Sequence, residues 1–262
     1  MFFLYTEDNM KILKFKKVTK DKYKVYLENN DIITLYEDII IKNNLLLTKE
    51  LSYEQIDELQ RQNNDYGSYD IALKYISIKM RSEKEIKDYL IKKGISEFNV
   101  ERIIDKLKGN GYIDDIKYAN AYIKDQLNLS NNGPYKIKSN LINLGIDEDI
   151  IDELIYKIDK DIIKDKLTKL INKQLKIKKG SKNMLKLKLV TYFCNLGYDK
   201  EMILNILNNS NMTTDLDLLK KEYNKLYSKY SKKYEGKELS NFIEQKLYKK
   251  GYTKEEIKNT ED

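Results

Sequence analysis

The sequence predicts a mainly α-helical protein: tandem three-helix repeats in an elongated array, preceded by a small α+β N-terminal domain built from a β-hairpin plus a helix. Three observations carry this. A phrase made of a helix end, a glycine, an apolar residue and a helix-starting residue recurs four times, as Lys93-Gly94-Ile95-Ser96, Leu144-Gly145-Ile146-Asp147, Leu196-Gly197-Tyr198-Asp199 and Lys250-Gly251-Tyr252-Thr253. Its glycines lie 51, 52 and 54 residues apart, a period that suits helical repeat arrays. Apolar residues hold the same register around each glycine. Ile86, Ile137, Leu189 and Ile243 stand eight before it, Leu90, Leu141, Phe193 and Leu247 four before, and Val100, Ile151, Ile203 and Ile257 six after. Such spacing draws one buried stripe along a helix on each side of a corner. Finally, one proline and ten glycines in 262 residues leave little to interrupt helical periodicity.

Taken in order, residues 11–18 and 22–28 alternate in polarity about the turn Thr19-Lys20-Asp21 and read as a hairpin, with a third strand at Ile32–Tyr36. A short helix at Glu37–Lys42 follows. Ser52 with Gln55 three residues on forms a capping box that opens a helix to about Gln62, and Asn63–Gly67 reads as a linker. The chain is therefore divided into an N-terminal domain at 1–66 and repeats at 67–113, 114–158, 159–212 and 213–262. Ser82 with Glu85 makes a second capping box, and Pro134 after Gly133 suits a first helical turn, where its missing N–H costs nothing. Asp114 and Asp115 read as an N-cap and a first-turn partner of the helix dipole, with no third carboxylate spaced to complete a metal site.

Composition excludes several function classes. There is no histidine, so Ser-His and Cys-His catalytic pairs and histidine-based zinc sites are absent. Cys194 is the single cysteine, in the apolar run Tyr192-Phe193-Cys194, and is expected to be a buried structural thiol. Gly109-Asn110-Gly111 lacks the third glycine of a dinucleotide fingerprint, and no eight-residue P-loop is present. No apolar run approaches the roughly 18 residues of a membrane span. Met1–Tyr5 is apolar but breaks at Glu7-Asp8, unlike a secretory signal, and the expectation is a cytoplasmic protein that is not an enzyme and needs no cofactor.

The first two repeats are familiar as well as periodic. Ala72-Leu73, Arg81-Ser82-Glu83-Lys84-Glu85-Ile86, Leu90, Lys93-Gly94 and Gly111-Tyr112-Ile113-Asp114-Asp115, with Ala119 and Tyr122 beyond, resemble the RecX family of regulatory proteins. Gly133-Pro134, Ile137, Leu141 and Gly145-Ile146 continue the likeness, while the later repeats match mainly by periodicity. The resemblance implies modulation of the RecA recombinase in DNA repair: a curved, elongated array lying in the groove of the RecA–DNA filament, inhibiting strand exchange and ATP hydrolysis. The fourth unit, 213–262, departs from the commoner pattern.

Charge points to a polyanionic partner. Lys and Arg number 49 against 42 Asp and Glu, a net charge of +7. From Lys166 to Tyr198 no acid occurs, whereas Lys166, Lys169, Lys173, Lys176, Lys178, Lys179, Lys182, Lys186 and Lys188 do. Lys176–Lys182 reads as a helix end and turn whose neighbouring helix N-terminus offers amides to a phosphate. Arg81, Lys84, Lys87, Lys92 and Lys93 in the first repeat, with Lys136 and Lys138 in the second, are smaller candidates for filament or DNA contact, and Tyr135 is one for base stacking. The expected partners are the RecA filament and single-stranded and duplex DNA, bound by a monomer. Two other classes stay open: a helix-turn-helix transcription factor, against which stands the lack of a recognition helix rich in Arg, Asn and Gln, and a protein scaffold with no nucleic-acid role.

Overall fold

The computed structural model describes residues 9–260, so the apolar opening Met1–Tyr5 lies outside the described residues. The chain forms two compact units, Met1–Tyr118 and Ala119–Asp262. In the first, β1 (Met10–Lys17), β2 (Lys22–Leu27) and β3 (Ile32–Tyr36) form an antiparallel meander, followed by α1 (Glu37–Lys42), the two-residue strand β4 (Glu50–Leu51) and the long helix α2 (Tyr53–Ile76). Sheet order is β3-β2-β1-β4. Alternation along β2 and β3 sends Val25, Leu27, Ile33 and Leu35 inward onto Ile39 and Ile40 of α1 and Ile56 and Leu59 of α2. Full burial of each such side chain contributes about 1.5–3 kcal/mol, and this one-sided core anchors the sheet.

The linker expected at Asn63–Gly67 is instead the middle of α2. Its polar residues serve docking. The Asn63 carboxamide oxygen accepts the Tyr36 N–H at 2.8 Å, and Tyr66 donates its hydroxyl to Asp38 and packs on Tyr36 at 4.8 Å between ring centroids. A Cβ at Gly67 would come within 3.0 Å of the Tyr36 ring. Tertiary contacts thus override the local turn preference.

The same unit continues with α3 (Glu83–Lys92), α4 (Glu97–Gly109) and the start of α5 (Asp115–Leu129). Asp114 caps α5, its carboxylate accepting the Lys117 N–H at 2.9 Å. Asp115 instead accepts the Glu83 N–H at the start of α3, at 3.0 Å, and burial pushes its carboxyl above the usual range. The second unit holds α6 (Pro134–Asn143), α7 (Glu148–Tyr156), α8 (Lys160–Ile177), α9 (Lys182–Asn195), α10 (Lys200–Asn208), α11 (Leu216–Tyr230), α12 (Gly236–Tyr248) and α13 (Lys254–Lys258). Pro134 opens α6 as expected. Cys194 is only partly buried, on the edge of the α8–α10 core.

All four glycine phrases form one structure. Gly94, Gly145, Gly197 and Gly251 have φ between +82° and +87°. At each, the glycine N–H bonds the carbonyl three residues back, and the next N–H bonds the carbonyl five back: Ile95 to Leu90, Ile146 to Leu141, Tyr198 to Phe193, Tyr252 to Leu247. This is the Schellman closure, and the acceptors are the residues four before each glycine in the sequence register. Ser96, Asp147, Asp199 and Thr253 then cap α4, α7, α10 and α13 with their side chains. Every register residue named above four or eight before, or six after, a glycine is at most 1% exposed.

Within the second unit a corner is also a docking surface. The Gly133 N–H donates to the Leu196 carbonyl at 2.7 Å and the Tyr135 N–H to the Gly197 carbonyl at 3.0 Å. The start of α6 therefore lies directly on the α9–α10 corner. One repeat later, the Ser181 hydroxyl donates to the Lys250 carbonyl at 2.7 Å and the Asn183 amide to that of Gly251 at 3.2 Å. A Cβ on Gly197 would stand 2.2 Å from the Lys136 backbone nitrogen, whereas one on Gly94 meets nothing within 4 Å.

That contrast is testable. Gly94→Ala should cost only the left-handed backbone strain, about 1–2 kcal/mol. Gly197→Ala should add a further steric cost of about 1–3 kcal/mol as α6 is forced off its corner. Urea unfolding of both variants measures the difference, and equal losses would contradict the docking role of Gly197.

Candidate nucleic-acid interface

In the first unit the repeat-one cations fall into two groups. Arg81 is built into the fold: its guanidinium lies 4.1 Å over the Tyr75 ring and pairs with Glu85 at 3.1 Å. Tyr75 in turn stacks on Tyr89 at 3.9 Å between centroids. Glu85 also accepts the Ser82 N–H at 3.1 Å and the Tyr118 hydroxyl at 3.0 Å. Burial works against the Glu85 charge, but these hydrogen bonds outweigh it and hold the carboxyl below its usual range. Lys87 is held between Glu101 and Glu83, at 2.8 and 3.0 Å, and the two carboxylates raise its pKa. Lys84, Lys92 and Lys93 are exposed, with the Lys93 ammonium 5.4 Å from the Tyr89 ring.

In the second unit Lys138 is bound in the same way as Lys87. It bridges Asp152 at 2.5 Å and Glu148 at 2.8 Å, which raise its pKa, while Lys136 and Tyr135 are exposed. Lys87 and Lys138 are equivalent positions, seven before their corner glycines, so each fastens the helix before the corner to the helix after it. Lys166 is half-buried and donates to the Gln126 carbonyl at 3.0 Å, closing the C-terminus of α5, and burial pushes its ammonium below the usual lysine range.

The rest of the acid-free stretch behaves differently. α8 ends at Ile177 and α9 begins at Lys182, so Lys178–Ser181 is the expected turn. Lys176, Lys178, Lys179, Lys182 and Lys188 are all exposed. Of these, Lys179 reaches a carboxylate, Asp215 at 3.5 Å, and Lys176, Lys182 and Lys188 pair with no described acid. The Lys178 ammonium sits 5.8 Å from the Tyr192 ring, and Lys186 donates to Asn208 at 2.6 Å. The amides at the start of α9 are less available than the sequence suggested. Ser181 accepts the Met184 N–H at 3.3 Å and Thr214 accepts that of Lys182 at 3.0 Å.

The turn opens onto a cleft of about 550 Å³ lined by Lys178, Lys179, Lys188, Lys249 and Lys250, with Glu222 on its wall. Glu222 pairs with Lys250 at 2.5 Å. Lys249 and Lys250 do not stand out as a lysine run, but the repeat register contains them: they precede Gly251 as Lys92 and Lys93 precede Gly94. In such a site ammonium groups supply sequence-independent phosphate contacts. Among the described residues no group of three or more His, Cys, Asp or Glu could hold a metal ion, and no described helix is long and apolar enough to cross a membrane.

Comparison with known proteins finds two of these three-helix units by themselves. A family model described as "RecX, first three-helix domain" matches residues 69–107, and one described as "RecX, second three-helix domain" matches residues 114–155. The chain is 34% identical over 249 residues to Regulatory protein RecX of Streptococcus thermophilus, covering 93% of this chain and 95% of that one. It is 34% identical over 258 residues to Regulatory protein RecX of Streptococcus mutans, covering 95% and 98%. A crystal structure of regulatory protein RecX superposes with a TM-score of 0.62 at 25% identity, over 76% of this chain and 100% of that one.

The Glu85 network predicts an acid limb in stability. Because the folded-state pKa of Glu85 is depressed, its contribution is complete above the unfolded value of about 4.3 and is lost as pH falls through the folded value. Glu85→Gln should lower stability at pH 7 by about 1–3 kcal/mol. Thermal unfolding from pH 7 down to pH 3 should show the gap to wild type closing; a gap independent of pH would contradict the assignment.

Proposed function

The chain belongs to the RecX family of regulatory proteins, and from that premise we propose that it is a non-catalytic, cytoplasmic modulator that binds the RecA–DNA filament as a monomer and inhibits ATP turnover and strand exchange in DNA repair. The observation that carries this reading is the lysine-lined cleft at the α8–α9 turn: exposed ammonium groups, few carboxylates and no metal-binding cluster among the described residues. Arg81, Lys84, Lys92, Lys93 and Lys136 belong to the same proposal as secondary contacts, to the filament or to its single-stranded or duplex DNA. The division into an N-terminal domain (1–66) and four repeats is also proposed, as a division of roles along a chain whose α2 runs through residue 66.

The mechanism needs no chemistry from the protein itself. A repeat surface touching successive recombinase protomers favours whichever filament geometry it binds better. A preference of about 1.4 kcal/mol per affected site for an inactive geometry lowers turnover tenfold.

Two measurements test the proposal. Recombinase ATPase on single-stranded DNA, titrated with the full chain, should fall in proportion to filament occupancy, while the chain alone hydrolyses nothing. Changing Lys176, Lys178, Lys179 and Lys182 together to Gln should leave helicity intact, since exposed substitutions cost little, and raise the concentration needed for inhibition. Undiminished ATPase on a fully coated filament would reject the inhibitory role, and an unchanged inhibition curve for the variant would reject the α8–α9 turn as a contact.

A further inference from the structure

The open face of the N-terminal sheet carries a second concentration of lysines that neither the fold nor the proposed filament cleft uses. One face of the sheet is covered by α1 and α2 through Val25, Leu27, Ile33 and Leu35. On the other, the register sets Lys24 of β2 between Lys16 of β1 and Thr34 of β3, and Tyr26 between Lys14 and Ile32. Lys14, Lys16, Lys24 and Thr34 are exposed, and Ile32 is 49% exposed. The Lys14 ammonium lies 4.7 Å from the Tyr26 ring. From Met10 to Leu27 the sequence holds seven lysines and one acid, Asp21, whose carboxylate accepts the Thr19 hydroxyl at 2.8 Å. A further carboxylate, Glu50, stands opposite Lys11 at the far end of β1.

This arrangement works against stability. Like charges directly opposite one another on antiparallel strands are destabilising, and Lys16 faces Lys24 with no described carboxylate paired to either. Lysine along an edge strand guards against aggregation, which would account for Lys14 and Lys16, since β4 reaches only the beginning of β1. It does not account for Lys24, which sits on a strand paired on both sides. A local feature that costs stability without a structural return marks a functional surface.

We propose that this sheet face binds single-stranded nucleic acid, with Lys14, Lys16 and Lys24 on the phosphates and Tyr26 as a stacking platform for a base. An open sheet face with an aromatic ring among lysines suits splayed, unpaired bases. The inference is independent of filament binding, because the strand alone is the ligand.

The test uses the full chain and a fluorescein-labelled oligothymidine, without recombinase, with fluorescence anisotropy read across a salt series. Changing Lys14, Lys16 and Lys24 together to Gln should weaken binding about tenfold or more at low salt. The salt slope should flatten by about two units, at roughly 0.7 for each phosphate no longer neutralised. Tyr26→Leu should weaken binding with the slope unchanged. Affinity and slope both unaltered in the triple variant would overturn the proposal. Should the triple variant not fold, photocrosslinking of wild-type protein to a 4-thiothymidine strand decides: adducts on β1 or β2 support the site, and adducts confined to the α8–α9 turn overturn it. Binding to phosphatidylserine vesicles with none to the strand would likewise overturn it, in favour of a lipid-facing sheet.

Discussion

One backbone conformation governs the helical part of this protein: the left-handed glycine that ends a helix and starts the turn into the next. It fixes the angle at which two amphipathic helices leave each corner, and so decides that the residues four and eight before it and six after it meet in one core. In the second unit it has a further consequence. The carbonyls around Gly197 and Gly251 accept hydrogen bonds from the start of a helix in the preceding repeat, through Gly133 and Tyr135 in one case and Ser181 and Asn183 in the other. The same corner therefore closes one repeat and seats another. Side chains at such a joint must be small or absent, which explains why Gly133 and Gly197 face each other there.

Charge is distributed against this frame in two modes. In the first two repeats, Lys87 and Lys138 each gather two carboxylates, and Arg81 is fastened by Glu85 and Tyr75. These cations hold neighbouring helices of a repeat together. Within the third repeat the stretch Lys166–Tyr198 supplies no acid, and its lysines at Lys176, Lys178, Lys182 and Lys188 stay in solvent. Surface ion pairs contribute modestly to stability, so withholding carboxylates costs the fold little while keeping the positive potential available to a polyanion.

The repeat architecture was legible because its signal is periodic and is reported several times over. Four glycines, four caps and twelve register positions all agree, and the two capping boxes and the helix at Glu37–Lys42 are local enough to read directly. What escaped reading is what depends on contacts distant in sequence. Asn63–Gly67 has the composition of a loop and becomes helix because Tyr36 and Asp38 provide partners for it. Strand β4 is two residues long, too short for alternation to appear. In the site, the lysine run was visible but its divided use was not: Lys138 is bound by two acids of the following helix, whereas Lys136, two residues away, is exposed. Lys249 and Lys250 complete the cleft from a repeat whose lysines, read linearly, are balanced by acids.

Under the proposed function, solvent-facing lysines of the α8–α9 turn meet the filament while carboxylate-bound lysines maintain the fold. Acetylation footprinting of the free chain and of the chain bound to RecA on single-stranded DNA tests it residue by residue. Lys176, Lys178, Lys179, Lys182 and Lys188 should lose reactivity on binding, with Lys87 and Lys138 equally unreactive in both states. Protection absent from the turn, or appearing at Lys87 and Lys138 instead, would contradict this division of the lysines.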